Sequence, residues 1–115
     1  MTTIFHNPRC SKSRETLALL EEKGIKKLKI RLYMETRLNI EELKTLLYQL
    51  SCSPIELMRT KETIYKELNL HLDDVTDAQR MSAMCQYPKL IERPIVVHKG
   101  KAKIGRPPEQ VLELF

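Results

Sequence analysis

The sequence predicts an α/β fold, with a four-stranded mixed sheet, helices packed on it and a helical insertion in the middle. Three observations carry that prediction. The chain opens with a strand, a helix and a strand, the order of a βαβ unit. Several helical segments follow with no strand between them. The period changes again near Pro94, to two short apolar segments around Lys99-Gly100 and a last helical stretch. Two parallel strands and an antiparallel hairpin can complete one sheet.

Thr2 to His6 reads as a strand, apolar at Ile4 and Phe5 and broken by Asn7-Pro8. A helix is predicted from Ser11 to Lys23, with Leu17 and Leu20 on its inner stripe and Gly24 as its stop. Lys27 to Tyr33 alternates, with Leu28, Ile30 and Leu32 on one side and Lys29 and Arg31 on the other. That pattern predicts a strand with one solvated face, at a sheet edge and parallel to the first. Asn39 opens the next helix. Glu42 completes a capping box, and Ile40, Leu43, Leu47 and Leu50 recur at helical spacing. Ser53-Pro54 starts a helical segment with Pro at its first position. Glu62 to Leu68 is another, and Thr76-Asp77 caps one from Ala78 to Gln86 that Pro88 ends. Pro94 to His98 and Ala102 to Ile104 form the hairpin. Pro107, Pro108 and Glu109 then open a C-terminal helix, with the acid near its positive end.

Composition bounds the function. The 115 residues are 42% hydrophobic and 30% charged, which predicts one globular domain, 1–115. Twenty basic against fifteen acidic residues give a net charge of +5. The basic residues are dispersed, and two Phe, four Tyr and no Trp leave few stacking platforms, so nucleic acid is not an expected partner. No apolar run approaches the ~18 residues of a membrane span, so no membrane partner is expected. The start, MTTIFHNPRC, lacks a charged region followed by an apolar one, which predicts a cytoplasmic location. Three cysteines, Cys10, Cys52 and Cys85, do not make a disulfide framework. No two sit at zinc-ligand spacing, and His6, His71 and His98 are scattered, so neither a metal nor a bound cofactor is expected.

Cys10 stands out by position. It follows a strand and a Pro break and begins a helix, where free N–H groups and roughly half a positive charge favour a thiolate. Arg9, Lys12 and Arg14 add positive charge, and a charged His6 would add more. Ser13 makes the pattern Cys-x-x-Ser, so no local disulfide can form. The Ser13 hydroxyl can hydrogen-bond the thiolate or cap the helix. Arg59, Arg93 and Arg106 occupy distinctive settings, Met-Arg-Thr-Lys, Glu-Arg-Pro-Ile and Gly-Arg-Pro-Pro-Glu. A guanidinium fork suits a tetrahedral oxyanion, but position alone does not join these arginines to Cys10. Cys52 and Cys85, near helix ends among apolar neighbours, read as small hydrophobes rather than resolving thiols.

A resemblance joins them. Ile4 to Leu17 (IFHNPRCSKSRETL), Glu56 to Glu62 with Tyr65-Lys66, Pro88 to Val97 and Ala102 to Glu109 resemble, in order, blocks of the arsenate reductase family that works with glutathione and glutaredoxin. The resemblance spans nearly the whole chain. It implies a thioredoxin-like fold with a helical insertion, in which Arg93-Pro94 matches the cis-Pro beside the active cysteine. It implies that Cys10 attacks arsenate while Arg59, Arg93 and Arg106 hold the oxyanion. His6 and Ser13 match positions that activate the thiol. Glutathione, as co-substrate, then attacks the adduct, and glutaredoxin removes it to release arsenite. Two other readings share this fold. One is an Spx-type regulator that binds RNA polymerase, whose usual Cys-x-x-Cys switch is missing at Cys10 and Ser13. The other is a thiol redox protein with another substrate.

Overall fold

In the computed structural model, which describes residues 1–115, the strands β1 (Thr2–Phe5), β2 (Leu28–Arg31), β3 (Ile95–His98) and β4 (Lys101–Ile104) form one sheet. Their order is β2-β1-β3-β4. β1 lies inside, parallel to β2 with Ile4 opposite Ile30, and antiparallel to β3 with Ile4 opposite Val96. β3 and β4 pair antiparallel through a turn at Lys99 and Gly100. Both turn residues have positive φ, +50° and +79°, as a two-residue hairpin of right-handed twist requires.

The contacts divide the chain into two compact units, and the sheet belongs to the first, Met1–Thr36 with Arg93–Phe115. Helix α1 (Ser11–Glu22) connects β1 to β2 and ends where Gly24 takes a positive φ of +71°. The unit's core closes on Ile4, Leu20, Val96 and Val111, all fully buried, with Leu17, Ile25, Leu28 and Leu114 packed around them. Val111 comes from the C-terminal segment Pro108–Leu114, which is a 3-10 helix rather than the α-helix expected. Gln110 N–H donates to the Pro107 carbonyl at 3.0 Å, a three-residue reach that suits so short a piece behind two prolines.

β2 takes the expected edge position, but its alternation does not bury Ile30, which is 46% exposed. Only Leu28 of that stripe joins the core cluster, because an edge strand has a neighbour on one side alone. Arg31 is half-buried and donates from Nη1 to the Thr36 carbonyl.

The second unit, Arg37–Glu92, is the helical insertion. It holds α2 (Ile40–Leu50), α3 (Pro54–Leu57), α4 (Thr63–Glu67) and α5 (Asp77–Gln86). The capping box predicted at Asn39 forms, and Ser53 and Thr76 form two more. Glu42 N–H donates to Asn39 Oδ1 at 2.8 Å, Ser53 N–H to Glu56 Oε1 at 2.8 Å, and Gln79 N–H to Thr76 Oγ1 at 3.1 Å. Leu43, Leu57 and Met84 are fully buried between these helices. The Arg80 guanidinium donates to the carbonyls of Leu70 and Val75, fixing the loop ahead of α5. Arg59 N–H to Leu90 O at 2.7 Å and Glu92 N–H to Leu57 O at 2.8 Å hold the unit's last residues against the end of α3. No helix is long and apolar enough to cross a membrane.

Candidate active site

The loop from β1 to α1 is wound tightly by its own polar groups. Cys10 N–H donates to the Asn7 carbonyl and Arg9 N–H to Asn7 Oδ1, the turn an Asn-Pro pair favours. Cys10 is the residue that caps α1. Its backbone is extended, and its carbonyl accepts the first helical bond from Arg14 N–H at 3.0 Å. A thiol has no oxygen with which to cap, so the N–H groups of Ser13 and Lys12 turn to the sulfur instead.

That placement favours the thiolate form of Cys10. The residue is 9% exposed, and burial pushes its pKa up. The opposing influences outweigh burial: the Ser13 N–H, the charge of Arg93, the Lys12 N–H and a hydrogen bond from Arg93 bring the thiol below its ordinary value. Arg106 approaches from the end of β4, with Nη2 at 3.8 Å from Cys10 Sγ. Its Nε donates to the Arg93 carbonyl at 2.9 Å, so the two arginines are locked to one another as well as to the sulfur. Each precedes a proline across a cis peptide bond, at Arg93-Pro94 as the resemblance implies and at Arg106-Pro107 in addition.

His6 and Ser13 are brought together, but not as activators in direct contact with the sulfur. His6 Nδ1 and Ser13 Oγ lie 2.6 Å apart, and the same Oγ accepts from Asn7 N–H at 3.0 Å. Ser13 is fully buried. Its hydroxyl therefore ties β1 to α1, and it is the backbone N–H of Ser13 that serves the thiolate. His6 is held below its usual pKa, by burial first and then by the charge of Arg14. That shift favours the neutral imidazole over the charged form that the sequence suggests. The cations adjacent in sequence also turn elsewhere. Lys12 pairs with Glu15 at 3.5 Å, and Arg14 donates to the Pro8 carbonyl at 2.8 Å. The positive charge that lowers the Cys10 pKa, after the Ser13 N–H, is that of Arg93.

Arg59 belongs to the second unit, where Nη1 pairs with Glu92 Oε1 at 2.9 Å. Cys52 and Cys85 belong there too. Both thiols are pushed up, by burial first and then by Glu56 beside Cys52 and Glu42 beside Cys85. No group of three or more His, Cys, Asp or Glu side chains gathers to hold a metal ion. Asn7 is the residue sequence reasoning underused. It reads there as a strand breaker, yet its carbonyl and Oδ1 shape the turn that presents Cys10.

The chain is similar to known proteins. An arsenate reductase of Haemophilus influenzae is 50% identical over 113 residues, covering 97% of each chain. One of Neisseria meningitidis is 43% identical over 109 residues, covering 94% of this chain and 92% of its own. Among solved structures, an arsenate reductase from Vibrio cholerae superposes with a TM-score of 0.95 at 54% identity, covering 99% of this chain and 97% of its own. The four-stranded mixed sheet with its helical insertion is thus the thioredoxin-like α/β architecture expected. The ArsC family model matches residues 5–114, a span that takes in Cys10, Arg59, Arg93 and Arg106, and the chain belongs to the ArsC family.

Proposed function

We propose that the protein reduces arsenate to arsenite, with Cys10 as nucleophile and glutathione and glutaredoxin as electron donors. The observation that carries this reading is the meeting of Arg106, Arg93 and a thiol held below its ordinary pKa at one helix N-terminus. A thiolate that attacks an anionic oxyanion needs the charge neutralised beside it, and guanidinium forks supply that. Family membership and the arsenate reductases at 43–50% identity support the same substrate.

In the first step Cys10 Sγ bonds to arsenic and one arsenate oxygen leaves as water. Arg93 and Arg106 neutralise the remaining oxygens, and the family resemblance implies the same role for Arg59. Glutathione then displaces a second oxygen as water and bonds to arsenic. A glutaredoxin thiolate attacks the glutathione sulfur and forms a mixed disulfide, and the sulfur–arsenic bond pair stays on arsenic. The two electrons that reduce arsenic from the +5 to the +3 state come from the glutathione and glutaredoxin sulfurs. Water then displaces Cys10 from the arsenic, so arsenite leaves and Cys10 returns as a thiolate without net oxidation. Within this scheme His6 and Ser13 position the loop rather than transfer protons to the sulfur.

The test is coupled turnover: arsenite release from arsenate with glutathione, glutaredoxin and a recycling reductant. Activity that requires all three and vanishes in Cys10→Ser supports the reading. A folded wild-type protein that releases no arsenite overturns it. An arsenic adduct should also appear on Cys10 by mass spectrometry when glutaredoxin is withheld.

A further inference from the structure

We propose that Gly105 is a positioning residue for the chemistry at Cys10, resting on the reading above that this site binds a tetrahedral oxyanion. Gly105 is buried and carries on the hairpin ladder by one rung, its N–H donating to the Pro94 carbonyl at 2.9 Å. A Cβ on it would lie 2.6 Å from Thr16 Oγ1, 2.8 Å from Pro94 Cγ and 3.3 Å from Thr16 Cγ2. Two of those distances are shorter than any real Cβ contact.

Neither neighbour can yield. Thr16 is fully buried, its χ1 is restricted by branching, and its Oγ1 donates to the Lys12 carbonyl at 2.9 Å. Pro94 is a buried ring in the chain entering β3. The absent side chain is therefore what lets the end of β4 lie flush on α1. The next residue is Arg106, whose guanidinium reaches the Arg93 carbonyl and the Cys10 sulfur from that seat. Because Cys10 and Thr16 stand on the same helix, the contact that seats Gly105 also fixes the span from Arg106 to the sulfur. Gly105 thus acts through Arg106. It touches no substrate, and a displacement of about 1 Å at such a site can cost on the order of a hundredfold in rate.

The test is a double-mutant cycle between Gly105→Ala and Arg106→Ala, with two readouts. The first is arsenate turnover. The second is protection of Cys10 from alkylation by added arsenate or phosphate, which does not require reduction. Gly105→Ala alone should lower kcat by about a hundredfold and weaken oxyanion protection at least tenfold. Its own effect on the pH midpoint of Cys10 alkylation, in the absence of oxyanion, should be small, since the Ser13 and Lys12 N–H groups and Arg93 remain. In the Arg106→Ala background, Gly105→Ala should cost less than threefold more. Equal losses in both backgrounds would show general damage and overturn the proposal.

Should Gly105→Ala not fold, the cycle is run with Thr16→Ala present, which removes the nearest contact, at 2.6 Å, and leaves Pro94 Cγ at 2.8 Å. Thr16→Ala should then restore part of the lost folding or turnover. A variant that regains none of either overturns the proposal as well. A wild type that shows oxyanion protection but no arsenate turnover overturns the functional reading and leaves the cycle to be read on protection. A wild type that shows neither overturns both.

Discussion

At Cys10 the two arginines divide the work. Arg93 supplies charge and a hydrogen bond to the sulfur, and its influence is part of what lowers the thiol's pKa. Arg106 stands 3.8 Å off, a long hydrogen bond to the sulfur, and on the proposed scheme its fork faces the oxygens of the adduct. Arg93→Ala should therefore raise the pH midpoint of Cys10 alkylation toward the free-thiol value of about 8.5. Arg106→Ala should leave that midpoint nearly in place and lower arsenate turnover by about a hundredfold or more, as loss of one oxyanion donor does. Alkylation rate against pH for both variants checks this, and equal shifts in the two would refute the division. The sequence made Cys10 legible, because a strand, a Pro break and a helix start are local signals. Which cation reaches it was not legible. Arg106 lies 96 positions away, and the nearer Lys12 and Arg14 are engaged by Glu15 and Pro8. Only the resemblance joined Arg93 and Arg106 to the sulfur before the fold did.

The elements followed local chemistry where that chemistry was self-contained. Asn39, Ser53 and Thr76 each form the capping box their sequence spells, because both partners lie within one helical turn. Asn39→Ala should cost about 1 kcal/mol, a fall in Tm of about 4 °C by calorimetry. An unchanged Tm would show that the cap contributes nothing to α2. Departures arose where tertiary placement decides: the exposure of Ile30 depends on what covers an edge strand, and the 3-10 form of Pro108–Leu114 on how a short piece seats Val111. The β1–α1 loop gives a pH prediction. Above an unfolded-state pKa of about 6.5, His6 is neutral in both states and its contribution to stability is fully present. As pH falls below that value the unfolded chain takes up a proton that folded His6 resists, so stability is lost until the lowered folded pKa is passed. Urea midpoints at pH 7.5 and 5.5 should thus drop more in the wild type than in His6→Asn. An equal drop in both would place the acid sensitivity elsewhere.

Across the whole molecule there are three thiols and one that is activated. Cys10, at the start of α1, is lowered, whereas Cys52 and Cys85 are raised by burial and by a nearby carboxylate each. A thiol held protonated is a poor nucleophile toward a mixed sulfur–arsenic or sulfur–sulfur bond. At the position where a Cys-x-x-Cys protein keeps its second thiol, this chain has Ser13, buried and occupied by His6 and Asn7. The proposed scheme accordingly draws its electrons from outside the chain. The double variant Cys52→Ser, Cys85→Ser should keep glutathione- and glutaredoxin-dependent turnover within about twofold, while Cys10→Ser loses it, since an alcohol at that place stays protonated and forms no arsenic adduct. Both second-unit cysteines are half-buried, so the new hydroxyls can cost stability. Thermal melts come first, with Cys→Ala in place of Cys→Ser where the fold is weakened. A folded double variant without turnover, together with a disulfide from Cys10 to Cys52 or Cys85 in the wild type after one turnover, would move the resolving thiol inside the protein and remove glutathione from the scheme.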